Sequence, residues 1–203
     1  THIPNQAIFG HRRLAVIDLE RGQQPMVSVD SRYTLIFNGE IYNYLELREE
    51  LEGKGVGFKT DSDTEVLLAM LIHYGEQALI KLNGMFAFVF HDRKHNQWIA
   101  ARDPFGIKPL YFAQVGEQLI FASEIKAILV HPDVVPRRNN RALHHYLAFQ
   151  FSLDEQTLFK GINKVLPGHY FLGLGHEVKQ KSAYWDSTYR ICSSINERSL
   201  LEE

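Results

Sequence analysis

Asn38-Gly39 is a pair of residues equipped for catalysis. The asparagine side-chain amide and the glycine main-chain N–H can both point at one oxygen, as an oxyanion hole requires. Glycine, lacking a Cβ, also lets the backbone approach a reacting group closely. The same dipeptide is a common turn pair, so alone it reads equally as a turn after a strand. Arg13 could pair bidentately with a carboxylate. On pattern alone, however, Arg12 and Arg13 are surface charges at the start of a strand. Asp63 could hold an ammonium, yet an acid in the first turn of a helix is stabilised by the helix dipole in any case. Glu40 is a second carboxylate candidate for the same role.

Other chemistries find less support. The one cysteine, Cys192, excludes an internal disulfide and any multi-cysteine metal site. Its setting, Ile191-Cys192-Ser193-Ser194, reads as an inert surface thiol. The ten histidines show no metal spacing, and His144-His145 reads as surface. There is no phosphate-cradling glycine-rich loop, and no metal is expected. A net charge of −2 gives no electrostatic reason to expect nucleic acid or an anionic membrane as partner. No apolar run is long enough to span a bilayer. The start, Thr1-His2-Ile3-Pro4-Asn5-Gln6, lacks the basic end and apolar core of a signal peptide, so a cytoplasmic location is expected. At 203 residues, one domain or one domain plus a short tail is expected.

The elements that would position these residues alternate between helix and strand. Tyr33–Phe37 reads as a buried strand ended by a turn at Asn38-Gly39. Asn43 with Glu46 predicts a capping-box start for a helix to about Leu51, stopped by Gly53 and Gly55. Ser62 with Glu65 predicts a second capping box, opening a buried helix that Gly75 ends. Phe86–Phe90 and Gln97–Ala101 flank a polar turn, predicting a hairpin. Leu110–Phe112 and Leu119–Phe121 about Gly116 predict another. Ser123 can cap a short helix through Leu129, and Asn139 or Asn140 another through about Phe149. Strand resumes near His169–Leu172. Hairpins between helices predict an α+β fold with antiparallel sheets.

Several segments taken in order resemble the class II glutamine amidotransferase domain of glutamine-hydrolysing asparagine synthetases. They are Gly10–Asp18, Gln24-Pro25-Met26, Phe37–Asn43, Ser62-Asp63-Thr64-Glu65, Gly84–Phe88, Ala101–Tyr111, Phe121–Ala127, Leu166–His169 and Tyr184-Trp185. The Arg102-to-Pro109 block is also similar to one in the amidotransferases of purine synthesis. The Asn38-to-Asn43 block, Lys108–Tyr111 and the Phe121-to-Ala127 block look like asparagine synthetase instead. The fold this resemblance implies is the four-layer αββα sandwich of N-terminal-nucleophile hydrolases. The implied domain runs over residues 1–186, with 187–203 a linker toward a synthetase domain.

The resemblance also assigns roles. It makes Asn38 and Gly39 the oxyanion hole and Arg13 the partner of the glutamine α-carboxylate. Leu14 and Val16 match positions whose backbone lines the same pocket. Asp63 matches the residue that holds the substrate ammonium, with Glu40 beside it. Arg102, Asp103 and Gly106 read as a structural turn. No cofactor is expected in this domain; ATP and magnesium are expected in the synthetase domain, with glutamine and that domain as partners.

The family's nucleophile is a cysteine at the mature N-terminus, whose own amine is thought to serve as base. This sequence begins at threonine, so the opening strand and nucleophile are expected upstream of Thr1. An exposed sheet edge there could pair two chains as a homodimer. The main expectation is glutamine hydrolysis to glutamate and ammonia, feeding ATP-dependent amidation of aspartate to asparagine. The alternatives are a non-catalytic glutamine-binding or structural module, a state to which β-lactam synthetases are similar, or an amidotransferase with a different acceptor.

Overall fold

The computed structural model describes residues 1–4, 7–12 and 23–188. The expected substrate residues Arg13, Leu14 and Val16 lie outside the described residues, as do Cys192 and nearly all of the expected linker.

The central element is an antiparallel sheet of six strands, in the order β11-β10-β6-β5-β4-β3. These are β3 (Met26–Val27), β4 (Tyr33–Ile41), β5 (Gly84–Asp92), β6 (Gln97–Arg102), β10 (His169–Leu174) and β11 (Glu177–Ala183). A second sheet, ordered β8-β7-β9, consists of β7 (Tyr111–Val115), β8 (Gln118–Ala122) and β9 (Ile162–Lys164). A short ribbon pairs β1 (His2–Ile3) with β2 (Ala7–Ile8). The helices are α1 (Tyr44–Glu52), α2 (Asp63–Tyr74), α3 (Ile125–Leu129) and α4 (Asn140–Phe149), with a 3-10 helix over Gly75–Lys81.

The two-residue side-chain period of a strand sorts the core into layers. Leu35, Phe37, Phe86, Phe88, Phe90, Ile99 and Ala101 face one way and pack with the buried residues of α1 and α2. Ala87, Val89, Trp98, Ala100 and Phe171 face the other way, onto Leu110, Phe112 and Val165. Ala113 and Ile162, on the far side of the second sheet, pack on Ile128 of α3. Helix, sheet, sheet, helix is the αββα order, so the middle strands β5 and β6 are buried on both faces, while the outer strand β11 stays largely exposed.

Several local expectations need correction. Asn38-Gly39 does not end its strand; β4 runs on to Ile41 because β5 pairs with it through Ile41↔Gly84. Asn43 makes no capping bond to α1. Its amide instead clamps a neighbouring loop, donating to the Lys81 carbonyl and accepting from the Asn83 N–H. Ser62 does cap α2, accepting from the Thr64 N–H. Glu65, rather than closing the box on Ser62, accepts from the N–H groups of Lys59 and Thr60 and from the Thr60 hydroxyl. Ser123 is not the cap of α3; Glu124 occupies that place without a side-chain bond. Asn139 caps α4 through the Ala142 N–H.

The Arg102-Asp103 turn ties the layers together. Asp103 is fully buried. Its carboxylate accepts from four main-chain N–H groups, those of Phe86, Phe105, Ile107 and Lys108. The Arg102 guanidinium donates to the carbonyls of Gly106, Lys108 and Val165 at 2.7–2.8 Å. The Tyr184 hydroxyl donates to the Arg102 carbonyl. Gly106, at φ +64°, has no room for a side chain, because a Cβ would meet Pro167 and Arg102. The expectation of a structural rather than catalytic turn agrees with this geometry.

Asp103→Ala leaves buried N–H groups unpaired, at about 1–3 kcal/mol each before relaxation. We expect a stability loss of about 3–5 kcal/mol. In urea denaturation the midpoint should fall without a change in slope.

Candidate functional site

Between the edge of the first sheet and one end of the second lies a cleft of about 640 Å³. Ile36, Asn38 and Glu40 of β4 line it, all on the face opposite Leu35 and Phe37. Met85, Ala87 and Val89 of β5 continue the floor, and Asp63 and Thr64 enter from the start of α2. Lys108, Pro109 and Leu110, held by the Asp103 turn, form one wall. Phe121–Glu124 with Lys126 and Ala127 form another. Gly10, His11, Arg12 and Gln24 complete the lining.

Four of the seven residues singled out from the sequence therefore meet in one cleft: Asn38, Gly39, Glu40 and Asp63. The other three precede Gln24 in the undescribed stretch. Sequence reasoning missed Gln24, Thr64, Lys108 and the wall from Phe121 to Ala127 as lining residues. Each stands in a motif that was recognisable as a block, but no residue type in it announces a role.

Gly39 is glycine for a steric reason. Its φ is +152°, and a Cβ at this position would lie 2.0 Å from the Met85 carbonyl oxygen of the neighbouring strand. Glycine at this position lets β4 and β5 pair closely beside the cleft.

Asp63 is 5% exposed. Its carboxylate accepts from the Ile41 N–H at 3.1 Å, with the Ser62 and Thr64 hydroxyls at 3.4–3.5 Å. Burial pushes the Asp63 carboxyl above its ordinary value, and the charge of Glu40 adds to the rise. Hydrogen bonds from Ile41 and Thr64 oppose it without cancelling it. Two carboxylates in a partly dry cleft make a site that gains by receiving a cation. Arg12, Lys108 and Lys126 put the opposite sign on the same lining, although Lys126 is itself paired with Glu124 at 2.6 Å. A cleft with both signs and an amide-plus-N–H corner is suited to an amino acid whose side chain bears a carbonyl. Among the described residues there is no cluster able to hold a metal ion.

The raised value of Asp63 fixes a sign. Between the ordinary value of 3.8 and the raised one, the folded chain binds more protons than the unfolded chain. This group's contribution therefore makes stability fall as pH rises through that window. Asp63→Asn keeps an oxygen acceptor for the Ile41 N–H and removes the charge. We expect the variant to melt at or above the parent's temperature near neutral pH, with a flatter pH dependence. Thermal denaturation from about pH 4 to pH 8 measures both.

Comparison with known proteins matches residues 1–185 to a family described as a glutamine amidotransferase domain. Glutamine-hydrolyzing asparagine synthetase 1 of Bacillus subtilis (strain 168) is 52% identical over 163 residues, covering 80% of this chain and 26% of that protein. Glutamine-hydrolyzing asparagine synthetase 3 of the same organism is 44% identical over 168 residues, covering 81% and 27%. The chain thus spans about a quarter of the length of these relatives. Among solved structures, glutamine phosphoribosylpyrophosphate amidotransferase from B. subtilis superposes with a TM-score of 0.57 at 24% identity, covering 81% of this chain and 32% of that one. That likeness supports the fold, with antiparallel sheets between helices. With the family's pattern running over residues 1–185, this chain belongs to the glutamine amidotransferase domain family.

Proposed function

We propose that this domain binds glutamine and hydrolyses its side-chain amide to glutamate and ammonia, as the glutaminase part of an asparagine-synthetase-type protein. The observation that carries the reading is the meeting of Asn38-Gly39 with Asp63 and Glu40 in one cleft. In this reading the side-chain carbonyl of glutamine sits at Asn38 and Gly39. The α-ammonium sits by Asp63, with Glu40 near it, and the α-carboxylate is taken by Arg13. Leu14 and Val16 offer their backbone to the same ligand.

The chemistry follows from those placements. A thiolate adds to the amide carbon, and the carbonyl oxygen becomes an anion. Two preorganised donors stabilise that charge as it forms. Ammonia leaves with the proton that the N-terminal α-amine took from the thiol, and water releases glutamate from the thioester. The nucleophile in this reading is the family's N-terminal cysteine.

The ammonia is consumed, in the reading we favour, by a synthetase domain of the same protein that amidates aspartate. ATP and magnesium belong to that domain. A cytoplasmic setting accords with those substrates. Among the described residues no helix is long and apolar enough to cross a membrane. A purely glutamine-binding module is less favoured, because binding alone needs no pair of oxyanion donors.

Calorimetric titration of the chain separates these roles. L-Glutamine should bind saturably, and glutaramate, which lacks the α-amino group, about tenfold or more weakly, as expected when a buried charge loses its partner. Equal affinity for the two would sink the Asp63 assignment. In the gene's full product, Asn38→Ala should lower kcat for glutamine hydrolysis by about a hundred- to a thousandfold, with KM little changed. A coupled glutamate assay reads this out, and a normal kcat would remove Asn38 from the oxyanion site.

A further inference from the structure

We propose that Gln24 is a positioning residue that aims the donors of Asn38 and Gly39. The inference rests on the glutaminase reading and adds a residue to it.

The argument begins with register. β3 pairs with β4 through Met26↔Leu35 and Val27↔Thr34. Continued by two residues, that register puts Gln24 opposite Phe37. Pro25 lies between and has no N–H to give. At Phe37 the rung is completed by a side chain: the Phe37 N–H donates to Gln24 Oε1 at 2.6 Å. The backbone pairing thus stops at Met26, and the amide of Gln24 carries it one rung further.

Alternation then assigns the direction of Gly39. In an antiparallel ladder, successive residues turn their N–H groups to opposite edges. Tyr33 donates outward to Ser28 Oγ, Phe37 outward to Gln24 and Ile41 outward to Asp63 Oδ2. Tyr42, on the other parity, donates to the Asn83 carbonyl just before β5. Gly39 shares the parity of Phe37 and Ile41, so its N–H looks out from the same edge. It stands between two N–H groups held by side-chain acceptors, that of Phe37 on Gln24 two residues before it and that of Ile41 on Asp63 two residues after. Those two bonds fix the edge on either side of the donor. Gln24 also lines the cleft.

Such support matters because an oxyanion donor works over a narrow range, about 2.7–3.1 Å from the developing charge. β5 holds one side of this stretch of β4, and among the described residues no strand pairs with its other side beyond Met26. Gln24 supplies the hold for Phe37, the residue directly before Asn38.

The test uses the 203-residue chain labelled with 15N and titrated with L-glutamine. In the parent, the Gly39 amide and the Asn38 side-chain amide should shift saturably. In Gln24→Ala the apparent Kd should rise about five- to tenfold, the equivalent of one net hydrogen bond. The limiting Gly39 shift should shrink as well. Gln24→Glu, which keeps an acceptor oxygen at the same reach, should restore the Gly39 shift. Should the alanine variant fail to fold, Gln24→Met, of similar length and without that acceptor, carries the same comparison. A lower melting temperature with unchanged Kd and unchanged Gly39 shift would mean a merely structural tie and would overturn the proposal. No response to glutamine in the parent itself would overturn the glutaminase reading instead.

Discussion

Everything else in this molecule leans on one buried carboxylate. Asp103 has no solvent contact, and four main-chain N–H groups from two separate stretches of chain converge on it. An ionised acid in such a place would be costly without donors, and these donors would be costly without an acceptor. Each side of the bargain therefore requires the other. Phe86 belongs to the central sheet, while Ile107 and Lys108 lead into the second sheet and the cleft wall. The carboxylate thus sets the relative position of the two sheets. Arg102 reinforces it by gathering three carbonyls, one of them that of Val165, directly after β9.

With the sheets so fixed, the middle strands of the six-stranded sheet have no free face. One face is closed by helices and the other by the second sheet. Around those strands, polar chemistry finds room along an edge, where backbone N–H groups are not consumed by a neighbour. The outer side of β4 is that place. The strand bears apolar residues toward the helices and Asn38 and Glu40 toward the cleft. Period-two alternation thereby lets one strand serve both core and site.

Much of this was legible in the residues. The hairpins, the buried helix before Gly75 and the caps at Ser62 and Asn139 followed from period and local chemistry. Other features depended on partners distant in sequence. Asn38-Gly39 has the composition of a turn, and only pairing with Gly84–Ala87 keeps it extended. Asn43 and Glu65 had the spacing of capping boxes but found better acceptors and donors on loops. β9 and β11 carry little apolar pattern of their own and are strands because an established sheet edge receives them. The gathering of Asn38, Gly39 and Asp63 was implied by resemblance, since no local rule brings residues so far apart to one cleft. Gln24 was visible only as part of a motif, because its contribution is a side chain standing in for a backbone rung.

The make-up of the cleft has a further consequence for how such a protein fails. Its lining comes from Gln24, β4, the start of α2, β5, the Lys108 loop and the beginning of α3, stretches scattered over a hundred residues of chain. Some of its walls are local, such as the β7–β8 hairpin, but what brings them together is pairing between stretches far apart in sequence. The whole site therefore depends on the completed fold. Ligand recognition is in effect a certificate of completed folding, and a substitution far from the cleft can register first as lost binding.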